Sequence, residues 1–159
     1  MYRNNFIAGL IALACFMFVM PSLGAAQTDK VKTSMAALKA ETERLGAPKV
    51  QDSELYFGET KVSADLVDAV VKKQGGVATL FAKKGDQYVR VATTVKKDDG
   101  TSAVGTALDA NSPAVAKLNG GEAYYGDATV FGKTYAAGYE PMKDASGTVI
   151  GAYFVGDPK

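Results

Sequence analysis

The chain has 159 residues, 47% of them hydrophobic and 22% charged, the proportions of a globular protein rather than of a disordered, collagen-like or coiled-coil chain. Eighteen basic residues against 17 acidic ones leave a formal charge of +1, without the basic face that nucleic-acid binding needs. With no histidine and a single cysteine, Cys15, Ser-His-Asp catalysis, Cys-His catalysis and His/Cys zinc sites are all excluded.

The first predicted segment is an address. Arg3 is the only charge before Asp29, and Phe6 to Met20 is an unbroken run of 15 apolar or small residues. Pro21 ends the run, and Gly24-Ala25-Ala26 places small residues where a secretory leader is cut. The expected leader is residues 1–26, cleaved after Ala26, so that the mature chain is periplasmic or secreted. An uncleaved leader anchored in the inner membrane is the alternative, although a spanning helix wants about 20 apolar residues. Cys15 in Ala12-Leu13-Ala14-Cys15 is only a loose match to a lipid-attachment site. Without further cysteines, the exported chain has no disulfide to stabilise it and depends on its core.

A helix is expected next, in residues 27–46, followed by a single domain over residues 47–159. Val31, Met35, Leu38, Thr42 and Leu45 form one stripe at helical spacing, and Gly46 with Pro48 ends it. The stripe either packs on the domain or forms a dimer seam. Ala47 to Thr60 reads as irregular, with Leu55, Tyr56 and Phe57 as an apolar knot. Ser63 is placed to cap a second helix with Leu66, Val67, Val70 and Val71 on one face. Strands are expected over Val77–Lys83 and Gln87–Val95. A short helix opens at Ser112-Pro113, and three more strands follow over Glu122–Phe131, Lys133–Met142 and Thr148–Val155. Connections of hairpin length make the sheet largely antiparallel.

Arg90 is singular. It lies mid-strand in Tyr88-Val89-Arg90-Val91-Ala92, where a half-buried guanidinium needs an acceptor. Its planar fork matches a carboxylate, which belongs either to a ligand or to an internal acid such as Glu140 or Asp127. Five of the eight tyrosines lie between Tyr124 and Tyr153. Tyr135 and Tyr139 share a face by alternation, whereas Tyr124 and Tyr125 point to opposite faces. Tyrosines give a pocket flat apolar walls with a polar tip. No acid pair, calcium loop or phosphate loop is recognisable.

The ordered strings Gly75-Gly76-Val77-Ala78-Thr79-Leu80-Phe81, Tyr88-Val89-Arg90-Val91-Ala92-Thr93 and Val104-Gly105-Thr106-Ala107-Leu108 resemble the single Cache domains of bacterial chemoreceptors and sensor kinases. The likeness continues through Ser112-Pro113, Gly120-Gly121-Glu122-Ala123-Tyr124-Tyr125-Gly126, Tyr139-Glu140-Pro141-Met142 with Asp144 and Gly147, and Val149-Ile150-Gly151. It is nearest to the variety known as the Cache 3/Cache 2 fusion. The resemblance implies an α+β, PAS-like domain with a long N-terminal helix packed on a five-stranded, largely antiparallel sheet. It also implies an extracytoplasmic sensor that binds a small carboxylate or amino acid, with no cofactor and no enzymatic activity.

Arg90 and Thr93 match the family's Arg-x-x-Thr, and Tyr135 and Tyr139 match its aromatic strand. Phe81 and Tyr124 complete the expected pocket. Arg90 and Thr93 are three residues apart, so a regular strand sets them on opposite faces, and only a bulge or a twist lets both line one pocket. No second apolar run follows Gly156-Asp157-Pro158-Lys159, so the expectation is a sensor without its own transmembrane signalling part. The partners expected are a small organic acid or amino acid, with a membrane receptor or a second copy of the chain as further candidates. A protein-interaction or dimerisation module with a vestigial pocket is the alternative.

Overall fold

The structure is a computed structural model and describes residues 23–52 and 54–159. Arg3 and the apolar run Phe6–Met20 of the expected leader lie outside the described residues.

The first helix, α1, spans Leu23–Glu43, so its range includes the expected cleavage position at Ala26. Val31, Met35, Leu38 and Thr42 are buried, packed on the chain's own sheet and second helix. A dimer seam through Val31, Met35 and Leu38 is therefore closed, because those side chains already fill the domain's core. Residues 47–60 are not irregular as expected. They form a small antiparallel meander of β1 (Pro48–Gln51), β2 (Glu54–Phe57) and β3 (Thr60–Lys61). Leu55 and Phe57 alternate inward under α1 while Tyr56 is only half buried.

Helix α2 (Ala64–Gln74) buries Val67 and Val70 and stops at Gly75, whose φ of 75° suits glycine. Ser63 holds the cap position, but its side chain makes no capping hydrogen bond.

The main sheet comprises β4 (Val77–Lys84), β5 (Gln87–Thr93), β6 (Tyr124–Val130), β7 (Lys133–Lys143) and β8 (Val149–Pro158). Its order is β5-β4-β8-β7-β6, and every neighbouring pair is antiparallel, giving the expected α+β, PAS-like fold. One face carries α1, α2 and the meander over Leu80, Ala92, Met142, Tyr153 and Val155. The opposite face carries α3 (Pro113–Asn119) and the segment before it over Phe81, Tyr88, Tyr135, Tyr139 and Phe154. Ser112 caps α3 by accepting from the Ala114 N–H, with Pro113 in the first turn. Tyr124 and Tyr125 do lie on opposite faces.

Candidate functional site

The second face holds the site, and two irregularities shape it. The first is a bulge in β5. Leu80 pairs with Ala92, but Phe81 pairs with Arg90, so Val91 is an extra residue. Thr93 pairs with Thr79, and Thr79 shares a face with Phe81. The bulge therefore turns Arg90 and Thr93 onto one face, as their spacing requires.

The second irregularity is the segment Ala103–Leu108, which folds back along the outer edge of β5. The Arg90 N–H donates to the Thr106 carbonyl, Gly105 N–H donates to the Arg90 carbonyl, and Leu108 N–H donates to the Tyr88 carbonyl. This ties both the N–H and the carbonyl of Arg90 to that one segment.

The Arg90 side chain is 5% exposed. Its Nη1 donates to the Thr106 hydroxyl and the Ala107 carbonyl, each at 2.9 Å. The Thr106 hydroxyl in turn donates a hydrogen bond to the Ala103 carbonyl. Neither acid considered as an internal partner reaches the guanidinium. Glu140 lies on the other face, bonded to Lys39 and Tyr125, and Asp127 pairs with Lys159. Among the described residues no carboxylate neutralises Arg90.

Two aromatic rings pack against the guanidinium, its central carbon lying 5.1 Å from the Phe81 ring centre and 5.4 Å from that of Phe131. Nε and Nη2 have no protein partner among the described residues. No fully enclosed side-chain nitrogen or oxygen there lacks one, so these two retain access to the cleft that Arg90 lines. Burial pulls the Arg90 pKa down, while the neighbouring Tyr139 holds it up. A guanidinium stays protonated across the working pH range.

The cleft has a volume of about 410 Å³, room for a small metabolite. Arg90, Tyr139 and Phe131 line it, with Leu108 and Asp109 on one rim and Asp127 to Val130 on the other. Tyr139 is almost wholly buried, 4.7 Å from Phe154 between ring centres, and its hydroxyl has no partner among the described residues. Burial raises the pKa of that hydroxyl well above the ordinary value, against the pull of Arg90, so it stays a proton donor. Arg90 comes from β5 and Phe131 follows β6, the two edge strands. Their side chains reach each other across the sheet face, with the guanidinium carbon 5.4 Å from the Phe131 ring centre.

Of the predicted residues, Arg90 and Tyr139 line the cleft and four do not. Phe81 is fully buried behind the guanidinium. Thr93 shares its hydroxyl with Thr79 and accepts from the Val95 N–H. Tyr124 folds over Gly126 and donates to the Asp127 carbonyl, with its ring against Tyr139. Tyr135 is buried on the same face. Sequence reasoning missed Thr106, Ala107 and Phe131. Thr106 and Ala107 lie in one of the ordered strings noted above, a usable signal; Phe131 had none. Among the described residues no group of three or more acids, cysteines or histidines is gathered as a metal would require.

The domain family described as the Cache 3/Cache 2 fusion domain matches residues 23–159. Among curated proteins none matches the chain.

Proposed function

The chain belongs to the Cache 3/Cache 2 fusion domain family, and from that premise we propose that it senses a small carboxylate in the Arg90 cleft. Domains of this family are in general extracytoplasmic sensors of small molecules and not enzymes. The observation that carries the ligand class is the buried guanidinium without an acidic partner. Burying a charge is costly unless something compensates it. With Nη1 occupied by neutral oxygens, the Nε–Nη2 edge offers two parallel N–H groups, the geometry that a carboxylate accepts. Tyr139 adds a neutral donor beside it.

The mouth favours a monoanion, either an organic acid or an amino acid, because Asp109 would repel a second carboxylate and attract an ammonium, whereas Asp127 is already paired with Lys159. Thr93, Tyr124, Tyr135 and Phe81 support this site from behind and beside it. The test is a thermal-shift and calorimetric panel of acetate, lactate, glycine and alanine. Saturable binding is expected, abolished in Arg90→Ala and weakened in Arg90→Lys, which keeps the charge but loses the fork. A carboxylate bound equally well by Arg90→Ala would overturn the assignment.

The same reading places the domain outside the cytoplasm. No helix among the described residues is long and apolar enough to cross a membrane. Residues 1–26 serve as the leader, and residues 27–159, which keep all of α1 but its first four residues, serve as the sensor domain. Mass spectrometry of the exported chain should find Gln27 at its start; a chain beginning at Met1 would mean an anchor instead.

A further inference from the structure

Two opposite charges stand in the Arg90 cleft without pairing with each other. Of the residues that line it, Arg90 alone is basic, and Asp109 and Asp127 alone are acidic. Asp127 is taken by Lys159. Among the described residues no ion pair joins Asp109 to Arg90 or to any lysine. The Asp109 carboxylate is nevertheless held, because its Oδ1 accepts from the Asn111 N–H at 2.9 Å. Asp109 follows two residues after Ala107, whose carbonyl accepts from Arg90 Nη1, and Leu108 between them donates its N–H to the Tyr88 carbonyl. Two residues of chain span at most about 7 Å, short enough for one small molecule to touch both Arg90 and Asp109.

We infer that Asp109 is the ammonium-binding residue of this cleft, and that the ligand is an amino acid rather than an organic acid. This rests on the carboxylate reading above and chooses between the two classes that it admits. A zwitterion carries both charges on one small frame. Its carboxylate meets the Nε–Nη2 edge of Arg90, and its ammonium donates to Asp109, whose Oδ2 has no partner among the described residues. Guest and cleft are then matched charge for charge, and neither Arg90 nor Asp109 is left uncompensated as the guest displaces water. An organic acid of the same shape satisfies Arg90 but leaves Asp109 facing a net negative guest, a like-charge contact that selects against it.

L-Alanine and L-lactate differ only in an ammonium against a hydroxyl, which makes them a matched pair of probes. Isothermal titration of the full chain with each reads the inference directly. Asp109 is exposed, so water screens part of the attraction. The wild type is therefore expected to prefer alanine by about fivefold, what the strongest exposed ion pairs supply. Asp109→Asn removes the charge and keeps an oxygen for the Asn111 N–H, so the melting temperature without ligand should not fall. Its preference should drop to about unity through weaker alanine binding.

A wild type that binds lactate as tightly as alanine, or an Asn variant that keeps the preference, overturns the ammonium site; lactate binding that is lost in Arg90→Ala would leave the carboxylate reading standing. A wild type that binds neither probe, or binding that survives Arg90→Ala undiminished, overturns the carboxylate reading, and this inference with it.

Discussion

Gly151 has no room for a side chain. It sits opposite Ala82 in the β4–β8 ladder, and a Cβ there would collide with the carbonyl oxygen of Phe81. Backbone cannot swing aside as a flexible side chain can, so β4 and β8 must part locally. Gly151→Ala is expected to destabilise the domain by about 1–3 kcal/mol, the usual range for overpacking, measured by denaturant unfolding. It should also weaken carboxylate binding, because Phe81 is the floor on which Arg90 rests; unfolding indistinguishable from wild type would show that the strands accommodate the methyl group. Single residues thus set the cleft from three directions. Gly151 lets the strands close behind it, Val91 turns Arg90 toward it, and Thr106 ties the guanidinium in place.

At the scale of elements, β7 links the two faces. Tyr139 points to the cleft, while its neighbour Glu140 reaches α1, accepting from Lys39 at 2.9 Å and from the Tyr125 hydroxyl. Burial raises the Glu140 pKa, but the bonds from Tyr125 and Lys39 outweigh it and hold the carboxyl below its ordinary 4.5. A depressed folded-state pKa stabilises the fold above the unfolded-state value, and the contribution is lost as pH falls through the folded value. Stability should therefore decline below about pH 4.5, and Glu140→Gln should flatten part of that decline. Only part will go, because Glu41, Glu59 and Glu122 are lowered by their own lysines, Lys73, Lys49 and Lys117. The same variant should speed hydrogen exchange in α1; protection equal to wild type would mean that apolar packing alone docks the helix.

The α1 stripe, the α2 face and the five long strands were legible because each repeats its period over several turns or pleats. The strands β1 to β3 were not legible, since each has four residues or fewer and too little alternation to register. The Arg90–Thr93 spacing called only for some bulge or twist, and its place at Val91 was hidden, because an extra valine in a β-branched run leaves no compositional trace. Phe131 was hidden for the opposite reason: its φ of 45° contradicts its residue type, and a strained position cannot be read from preference.

For the whole molecule, stability rests on two apolar layers, one on each side of the sheet, with Cys15 the sole cysteine of the sequence. Cleavage after Ala26 would remove the first four residues of α1, Leu23–Ala26, but none of Val31, Met35, Leu38 or Thr42. A chain starting at Gln27 is expected to melt within about 3 °C of the full chain, since fraying ends contribute little; a much larger drop would make the first turn structural. The order of the strands has a consequence for how such a chain comes to be folded. β8, the last of the five to be synthesised, lies third across the sheet, between β4 and β7. Until it arrives, β4–β5 and β6–β7 are two separate hairpins, and an isolated hairpin is marginal in water. The polypeptide thus holds no closed sheet until its final strand is made, and tertiary structure completes only when that keystone strand takes its place.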